Sequence, residues 1–120
     1  MATLNVTLNI NTTNTFTDSP TQLDNSAVYT HGKDAVLKKV LLTADTGKLI
    51  FDSSEYGRSF LYIKHINGEG AINIEDSNSS TIYASLARGE FAFIPWHGTV
   101  DLYAEAIGGD AIIEVGIFEV

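Results

Sequence analysis

The chain has 120 residues, of which 44% are hydrophobic and 18% are charged, and its formal net charge is −8. This length predicts one domain spanning residues 1–120, and the apolar content is enough for a core. The acidic balance argues against nucleic acid and anionic membrane surfaces as partners, since both require clustered Lys and Arg. The absence of Cys excludes disulfides, thiolate metal sites and a thiol nucleophile.

The start of the chain lacks the positive and apolar regions of a secretory signal. No stretch reaches the roughly 18 consecutive apolar residues that a membrane span requires. We therefore expect a soluble protein that is made in a cytoplasm.

Residues 3–11 alternate between polar and apolar side chains without a break, which predicts a half-buried strand. Residues 12–27 are rich in Thr, Ser, Asn and Asp, and we predict that they form a long loop or arm. Their apolar anchors are Phe16 and Leu23. Loops of this length tend to be functional or to pack on a neighbour, so both residues are candidate contacts.

Residues 35–43 fit a strand or a helix about equally well, and Val36, Val40 and Thr43 favour a strand. Turn signals divide the rest of the chain into short apolar runs. These runs predict further strands over residues 49–53, 59–66, 71–75, 81–86, 90–95, 100–107 and 111–120.

Glycines in the turns predict how these strands pair. Asn67-Gly68 is a strong hairpin signal because both residues accept a positive φ, so we expect residues 71–75 to pair with residues 59–66. Glycines in 87–89 and 108–110 predict two further hairpins. About eight to ten short strands without an amphipathic helix predict an all-β fold, an antiparallel β-sandwich that is jelly-roll-like.

The segment Phe91 to Trp96 is the most apolar in the chain and contains its single Trp. It is apolar on both faces, which predicts a central strand with one face against another subunit. Core packing is the simplest role for Trp96, and a contact role at an interface is the alternative. The candidate interface residues are Phe16, Leu23, Phe93, Trp96, His97 and Tyr103.

Nothing in the sequence specifies a metal site. His31, His65 and His97 are far apart, no His-x-His pair occurs, and His65 is predicted to face the same way as its strand's apolar residues. We expect ordinary surface or partly buried histidines and no metal or other cofactor.

The acidic residues around positions 69–76 have two interpretations. Glu69, Glu75 and Asp76 lack the spacing of an EF-hand, and we prefer a solvated rim to a calcium loop. Asp101 and Glu105 predict a charged, solvent-facing strand. No Gly-x-Ser-x-Gly nucleophile motif is present, so the sequence predicts no catalytic residues and no enzyme.

Strand and turn segments in the second half of the chain carry a resemblance to a known group of proteins. The segments are Leu61-Tyr62-Ile63-Lys64, residues 89–96, residues 100–104 and residues 115–119. Over about half of the chain they resemble small virion structural proteins of tailed bacteriophages, such as those of cyanobacterial phages. The resemblance implies a β-sandwich that decorates the capsid, commonly as a homotrimer.

The resemblance implies that the protein is a capsid decoration (cement) protein whose partner is the major capsid protein. It would bind the outer surface of the head in the virion after synthesis in the host bacterial cytoplasm. The first alternative is a receptor- or glycan-binding module of a fibre or tail, with Tyr56, Tyr83, Trp96 and Tyr103 as a sugar platform. A small barrel enzyme is the third hypothesis, which the missing His-x-His pair disfavours.

Overall fold

The computed structural model describes residues 2–12, 21–33, 35–76 and 81–120. The described residues form ten β-strands, and none of them is helical. The strands are β1 (Ala2–Thr12), β2 (Thr21–His31), β3 (Val36–Leu42), β4 (Gly47–Phe51), β5 (Ser59–Asn67), β6 (Ile72–Glu75), β7 (Ile82–Leu86), β8 (Phe91–Trp96), β9 (Leu102–Ala106) and β10 (Ala111–Glu119). The predicted all-β fold is confirmed.

The chain divides into two compact units, residues 1–32 and residues 33–120, where the sequence predicts a single domain. The first unit contains a two-stranded antiparallel sheet of β1 and β2. These strands pair from Ala2 with His31 to Thr12 with Thr21, so each provides hydrogen-bond partners for the backbone groups on the facing edge of the other. We call this element the hairpin.

The predicted loop over residues 12–27 is wrong from residue 21 onward, because residues 21–27 belong to β2. Their polar composition is compatible with a strand, since a two-stranded sheet leaves much of its surface in water. Residues 13–20, including Phe16, lie outside the described part of the chain. Leu23 lies in β2 opposite Ile10, and its side chain is likewise outside the description.

The second unit is a sandwich of two four-stranded antiparallel sheets. Sheet 1 has the order β3-β10-β5-β8, and sheet 2 has the order β4-β9-β6-β7. The strands form nested pairs around the β6–β7 hairpin: β5 pairs with β8, β4 with β9, and β3 with β10. This is the connectivity of a jelly roll, so the predicted fold class is confirmed.

The pairing predicted from the glycine turns is wrong. β6 pairs with β7 and β9, and β5 pairs with β8 and β10, so Asn67-Gly68 connects the two sheets and does not close a hairpin. Gly68 has a φ of 135°, which differs from the φ of about 57° typical of the left-handed region that the tight hairpin turn uses. The turns at 87–89 and 108–110 also cross between the sheets, because a jelly roll places most consecutive strands on opposite sheets.

The core lies between the two sheets and is made by the alternate, inward-facing residues of each strand. Its fully buried members include Leu42, Ile63, Ile72, Leu102 and Ile113. His65 faces inward, as predicted, and is completely buried. Its Nε2 atom lies 2.9 Å from the carbonyl oxygen of Gly70, which can only accept, so Nε2 carries the proton.

Two carboxylates hold loops of the sandwich in place by hydrogen bonds. Asp101 binds the loop that follows β4, and Glu119, at the end of β10, binds the loop that precedes β5. Asp101 accepts hydrogen bonds of 2.7 Å from both the amide and the hydroxyl of Ser53, and these bonds lower the pKa of Asp101. Glu119 accepts a 2.7 Å hydrogen bond from the Gly57 amide and pairs with Lys33 at 3.1 Å. The Gly57 bond, followed by Lys33, lowers the pKa of Glu119.

Candidate functional site

The outer face of sheet 1 presents a continuous set of apolar side chains. The side chains that alternate with the buried residues of β3, β10, β5 and β8 point away from the core. Apolar members of this set are Leu37, Leu41, Ile112, Gly116, Phe118, Phe60, Tyr62, Phe91, Phe93 and Pro95. We call this surface the apolar face.

The strand register arranges the apolar face in rows across the sheet. One row runs through Leu37, Gly116, Tyr62 and Phe93. Gly116 leaves space for its neighbours, since a Cβ atom there would lie 3.1 Å from the Leu37 Cδ2 atom. Leucine and aromatic side chains therefore meet over this glycine.

The next row of the apolar face contains its charged residues. Lys39 lies opposite Glu114, and Glu114 lies opposite Lys64. Glu114 also accepts a hydrogen bond from Tyr62. Burial, followed by the nearby Glu114, raises the pKa of Tyr62, so its hydroxyl stays protonated and remains a donor.

The edges of the apolar face are the most exposed. Leu37 and Leu41 on β3 are 67% and 64% exposed, and Phe91 on β8 is 55% exposed. Toward the middle, Phe60 stacks on Phe93 and is almost fully covered. An exposed leucine or phenylalanine is common singly, but a contiguous row with aromatic neighbours is typical of a contact surface.

The outer face of sheet 2 has a different chemistry. It carries Asn73, Ser85, Tyr103 and Glu105 in its middle, and the exposed Leu49 and Ile82 on its two edge strands. The middle of this face is therefore polar and includes an acidic residue, as expected for a surface in contact with water. The two outer faces of the sandwich are therefore unequal, and the apolar one is the candidate functional site.

The structure does not bring the predicted interface residues together on one surface. Phe93 lies on the apolar face, whereas Tyr103 lies on the outer face of sheet 2. Trp96 faces the core, is 9% exposed, and donates a 3.0 Å hydrogen bond to the Val100 carbonyl. His97 is exposed and stacks on Trp96 at 4.6 Å. Their roles at an interface stay predictions.

The four residues of the predicted sugar platform do not form one surface, because Tyr83 and Trp96 are in contact while Tyr103 lies on the outer face of sheet 2. Tyr83 contacts Trp96 edge-on at 5.5 Å, and Tyr56 packs on Phe51 at 5.7 Å. The Trp96 indole is 9% exposed and also stacks on His97, so the protein covers most of it. A sugar ring requires a free aromatic face, and Trp96 does not provide one.

Two further predictions about β-strands and acidic residues are wrong. β8 is an edge strand of sheet 1 and not a central one, because β5 is its one neighbour in the sheet order. Its inner face packs on the core, and Phe93 on its outer face stacks on Phe60. Pro95 fits this edge, where a missing amide donor costs least.

Glu75 is 1% exposed and does not belong to a solvated rim. Its neighbour Asp76 is partly buried, while Glu69 is exposed as predicted.

Within residues 2–12, 21–33, 35–76 and 81–120, no three His, Asp or Glu side chains group as a metal site. No helix of the described chain is long and apolar enough to cross a membrane.

No family model and no curated protein matches the chain. Three solved structures are similar at low identity. Protein NMB1881 from Neisseria meningitidis has 14% identity and a TM-score of 0.47, covering 71% of this chain and 74% of its own. An RmlC-like cupin from Shewanella frigidimarina has 17% identity and a TM-score of 0.48, with coverages of 78% and 71%.

The third similar structure is a protein of the disulfide-linked pili that form Bacillus endospore appendages. Its identity is 16% and its TM-score is 0.45, covering 80% of this chain and 98% of its own. At such identities none of the three likenesses bears on what this chain binds.

Sequence reasoning missed the largest part of the apolar face. Leu37 and Leu41 alternate with Lys39 in β3, and Ile112 and Phe118 occupy the corresponding positions in β10. The available signal was a strand with apolar residues on both faces. β3 and β10 carry this signal as clearly as β8 does.

Proposed function

We propose that this protein is a non-enzymatic capsid decoration protein of a tailed phage, which binds the outside of the head as a homotrimer and stabilises the shell. The observation that carries the proposal is the apolar face of sheet 1. An apolar surface with aromatic rows is suited to burial against another protein.

The chemistry of the two outer faces supports an assembly role. The apolar face is suited to contacts between subunits, while the polar middle of the outer face of sheet 2 keeps the assembled particle soluble. The resemblance to phage virion proteins supports the capsid as the place of assembly and the major capsid protein as the partner. A protein that binds only the assembled shell raises its disruption temperature by mass action.

The test is to heat purified particles with and without the protein while a dye reports DNA release. We expect particles that lack the protein to release DNA at a lower temperature, and added wild-type protein to restore the higher one. The variant Leu37→Lys/Leu41→Lys should restore it poorly, because it places two charges on the apolar face.

Leu49→Lys is the matched control, since Leu49 is an edge leucine on the outer face of sheet 2 and is 39% exposed. It should restore the release temperature as well as wild type does. Equal release temperatures with and without the protein, together with a loss of host attachment in deficient particles, would reject the decoration role and favour the receptor-binding module.

A further inference from the structure

We propose that the β3 edge of sheet 1 binds an extended segment of another protein as an added strand. The segment has an acidic residue at its centre and apolar residues two positions before and after it. The backbone groups, the side chains and the charge of β3 carry this inference, which goes beyond the proposed function because it holds wherever the protein acts.

The hydrogen bonds of sheet 1 show which backbone groups of β3 point away from the sheet. In an antiparallel sheet, alternate residues direct their amide and carbonyl groups to opposite neighbours. His65 makes both of its backbone hydrogen bonds, of 2.9 and 2.8 Å, with the segment that leads into β8, so Lys64 directs its groups to β10. Followed through the register of β10 with β3, this alternation leaves the amides and carbonyls of Leu37, Lys39 and Leu41 pointing outward.

These outward groups are available to a further strand. The Leu41 carbonyl accepts a long hydrogen bond of 3.5 Å from Lys48. The other outward backbone groups of Leu37, Lys39 and Leu41 have no hydrogen-bond partner in the part of the chain that the structure describes. A row of amides and carbonyls of this kind is a template on which an extended peptide can pair.

β3 is the most regular of the four edge strands of the sandwich, which are β3, β8, β4 and β7. It pairs with β10 over seven residues without a register shift. The pairings of β4 and β7 each contain a register shift, and β8 contains Pro95, which lacks an amide donor. Bulges and prolines are devices by which edge strands avoid further pairing. An added strand therefore fits best at β3.

The side chains of β3 define what the added strand carries. Leu37, Lys39 and Leu41 alternate along β3 on the apolar face, and both leucines are largely exposed. On the β10 side, Glu114 lies opposite Lys39 and Ile112 lies opposite Leu41. Cross-strand pairs of opposite charge and pairs of apolar side chains are both favourable. A strand that repeats the β10 arrangement, with an acidic residue between two apolar ones, matches the open side of β3 in the same way.

Charge disfavours a second copy of β3 as the added strand. β3 carries Lys38 and Lys39 and no acidic residue, and neither lysine forms an ion pair within the described residues. In the antiparallel register that pairs all seven residues of β3 with a second copy, Lys39 lies opposite Lys39 of that copy. Like charges placed directly opposite are destabilising.

The same two lysines favour an acidic segment. The chain as a whole has a net charge of −8, so β3 is a basic strand in an acidic protein. Exposed charges are screened beyond about 8 Å at physiological ionic strength, and the nearby lysines therefore outweigh the net charge of the chain. Lys38 and Lys39 thus exclude a second copy and select the partner at once.

Two soluble peptides with blocked ends, TVTETVT and TVTKTVT, test the proposal on the full-length protein. They differ only in the charge of the central residue. The readout is the hydrogen-exchange rate of individual amides, measured by NMR on isotope-labelled protein with and without peptide at millimolar concentration. Only the outward amides of β3 gain a partner when a strand is added, so the pattern of protection identifies strand addition.

We expect TVTETVT to slow exchange of the Leu37, Lys39 and Leu41 amides severalfold and to leave the Lys38 and Val40 amides unchanged. TVTKTVT should leave all five unchanged. No slowing with TVTETVT would overturn the proposal, and so would equal slowing with both peptides, because the lysines would then not select the partner. Protection of the outward amides that rises with protein concentration in the absence of peptide would overturn it in favour of a second copy.

A matched pair of variants tests the charge pairing. Lys39→Gln removes the charge that faces the central residue of the peptide, and it should reduce the preference for TVTETVT over TVTKTVT severalfold. Lys64→Gln is the control, since Lys64 lies on β5 in the same row of the apolar face but not at the edge. It should keep the wild-type preference. An undiminished preference in Lys39→Gln would overturn the pairing of Lys39 with an acidic residue.

The peptide experiment and the particle-heating experiment fail independently. If TVTETVT does not protect the outward amides and the protein still raises the DNA-release temperature, strand addition is rejected and the decoration role stands. If TVTETVT protects them and the release temperature is unchanged by the protein, strand addition stands and the decoration role is rejected.

Discussion

Phe60 and Phe93 lie on neighbouring strands with their rings stacked, 6.1 Å between the centroids and 5° between the ring planes. The pair is on the outer surface of sheet 1, and Phe60 is nonetheless only 6% exposed. Aromatic pairs of this kind contribute about 0.5–1.5 kcal/mol beyond the area that they bury. The stack therefore holds the two rings in one fixed arrangement within the apolar face.

We expect Phe93→Ala to weaken self-association strongly, because it removes part of the apolar face. It should also lower the free energy of unfolding by about 1–2 kcal/mol, because it removes the ring that stacks on Phe60. Phe93→Leu retains most of the apolar area and should associate nearly as well as wild type. Sedimentation velocity gives the association and thermal unfolding the stability. Unchanged association in Phe93→Ala would show that the centre of the apolar face contributes little to assembly.

Strand positions in the sandwich were predictable from the sequence, and strand partners were not. The alternation of apolar residues predicts a strand over 59–66, and the structure has Ser59–Asn67. Pairing depends on contacts between distant residues, such as Leu37 with Gly116, which leave no local signal in the sequence. Local turn chemistry at Asn67-Gly68 favoured a hairpin, and the packing of the two sheets overrode it.

The candidate site was predictable only in part for a related reason. Phe93 belongs to a segment that is visibly apolar on both faces, so it was found. Leu37 and Leu41 alternate with Lys39, and this pattern also fits a half-buried strand whose leucines face the core. Because the period of a strand is two, the pattern defines two faces without saying which one is buried.

Gly98 permits a close approach between two loops, and we expect Gly98→Ala to be severely destabilising. Gly98 has a φ of 84°, and a Cβ atom there would lie 2.4 Å from the Gly57 carbonyl carbon. The left-handed conformation costs a residue with a Cβ about 1–2 kcal/mol, and the overlap with backbone adds about 1–3 kcal/mol. Chemical denaturation measures the loss.

Gly89→Ala is the matched control for Gly98→Ala. Gly89 has a φ of 87°, and a Cβ atom there meets no described atom within 4 Å. It should therefore cost only the conformational term of about 1–2 kcal/mol. Equal losses in the two variants would mean that the loop at Gly57 moves to accommodate a side chain at position 98.

Acid should destabilise the sandwich through Glu119. The hydrogen bond from Gly57 and the ion pair with Lys33 hold the pKa of Glu119 below its ordinary value of about 4.3. The folded state therefore binds fewer protons than the unfolded state around that pH, so this contribution is complete at neutral pH and is lost as the pH falls through the lowered pKa. Asp101, whose pKa is lowered by Ser53, acts in the same direction.

We expect the melting temperature of wild type to fall between about pH 5 and pH 3, the range just around and below the ordinary carboxyl pKa. Glu119→Gln should be less stable at pH 7 and should show a shallower fall, because Gln has no charge to lose. Scanning calorimetry across this range makes the comparison. A variant with the same acid slope as wild type would show that Glu119 does not contribute to the pH dependence.

Removal of residues 1–32 should leave the sandwich folded. The buried hydrophobic core lies entirely between Val40 and Ile117, within the second unit, so the chain from Lys33 to Val120 should fold without the hairpin. We expect a cooperative thermal transition close to that of wild type.

The exposed leucines of β3 make a truncated chain liable to aggregate, and a second variant keeps the result of the folding experiment interpretable. Truncation combined with Leu37→Lys/Leu41→Lys makes the face more polar and should give a folded, soluble monomer. If this variant is unfolded by circular dichroism while full-length Leu37→Lys/Leu41→Lys is folded, the hairpin is required for folding. If the truncated wild-type sequence has the same oligomeric state in sedimentation as the full chain, residues 1–32 have no part in self-association.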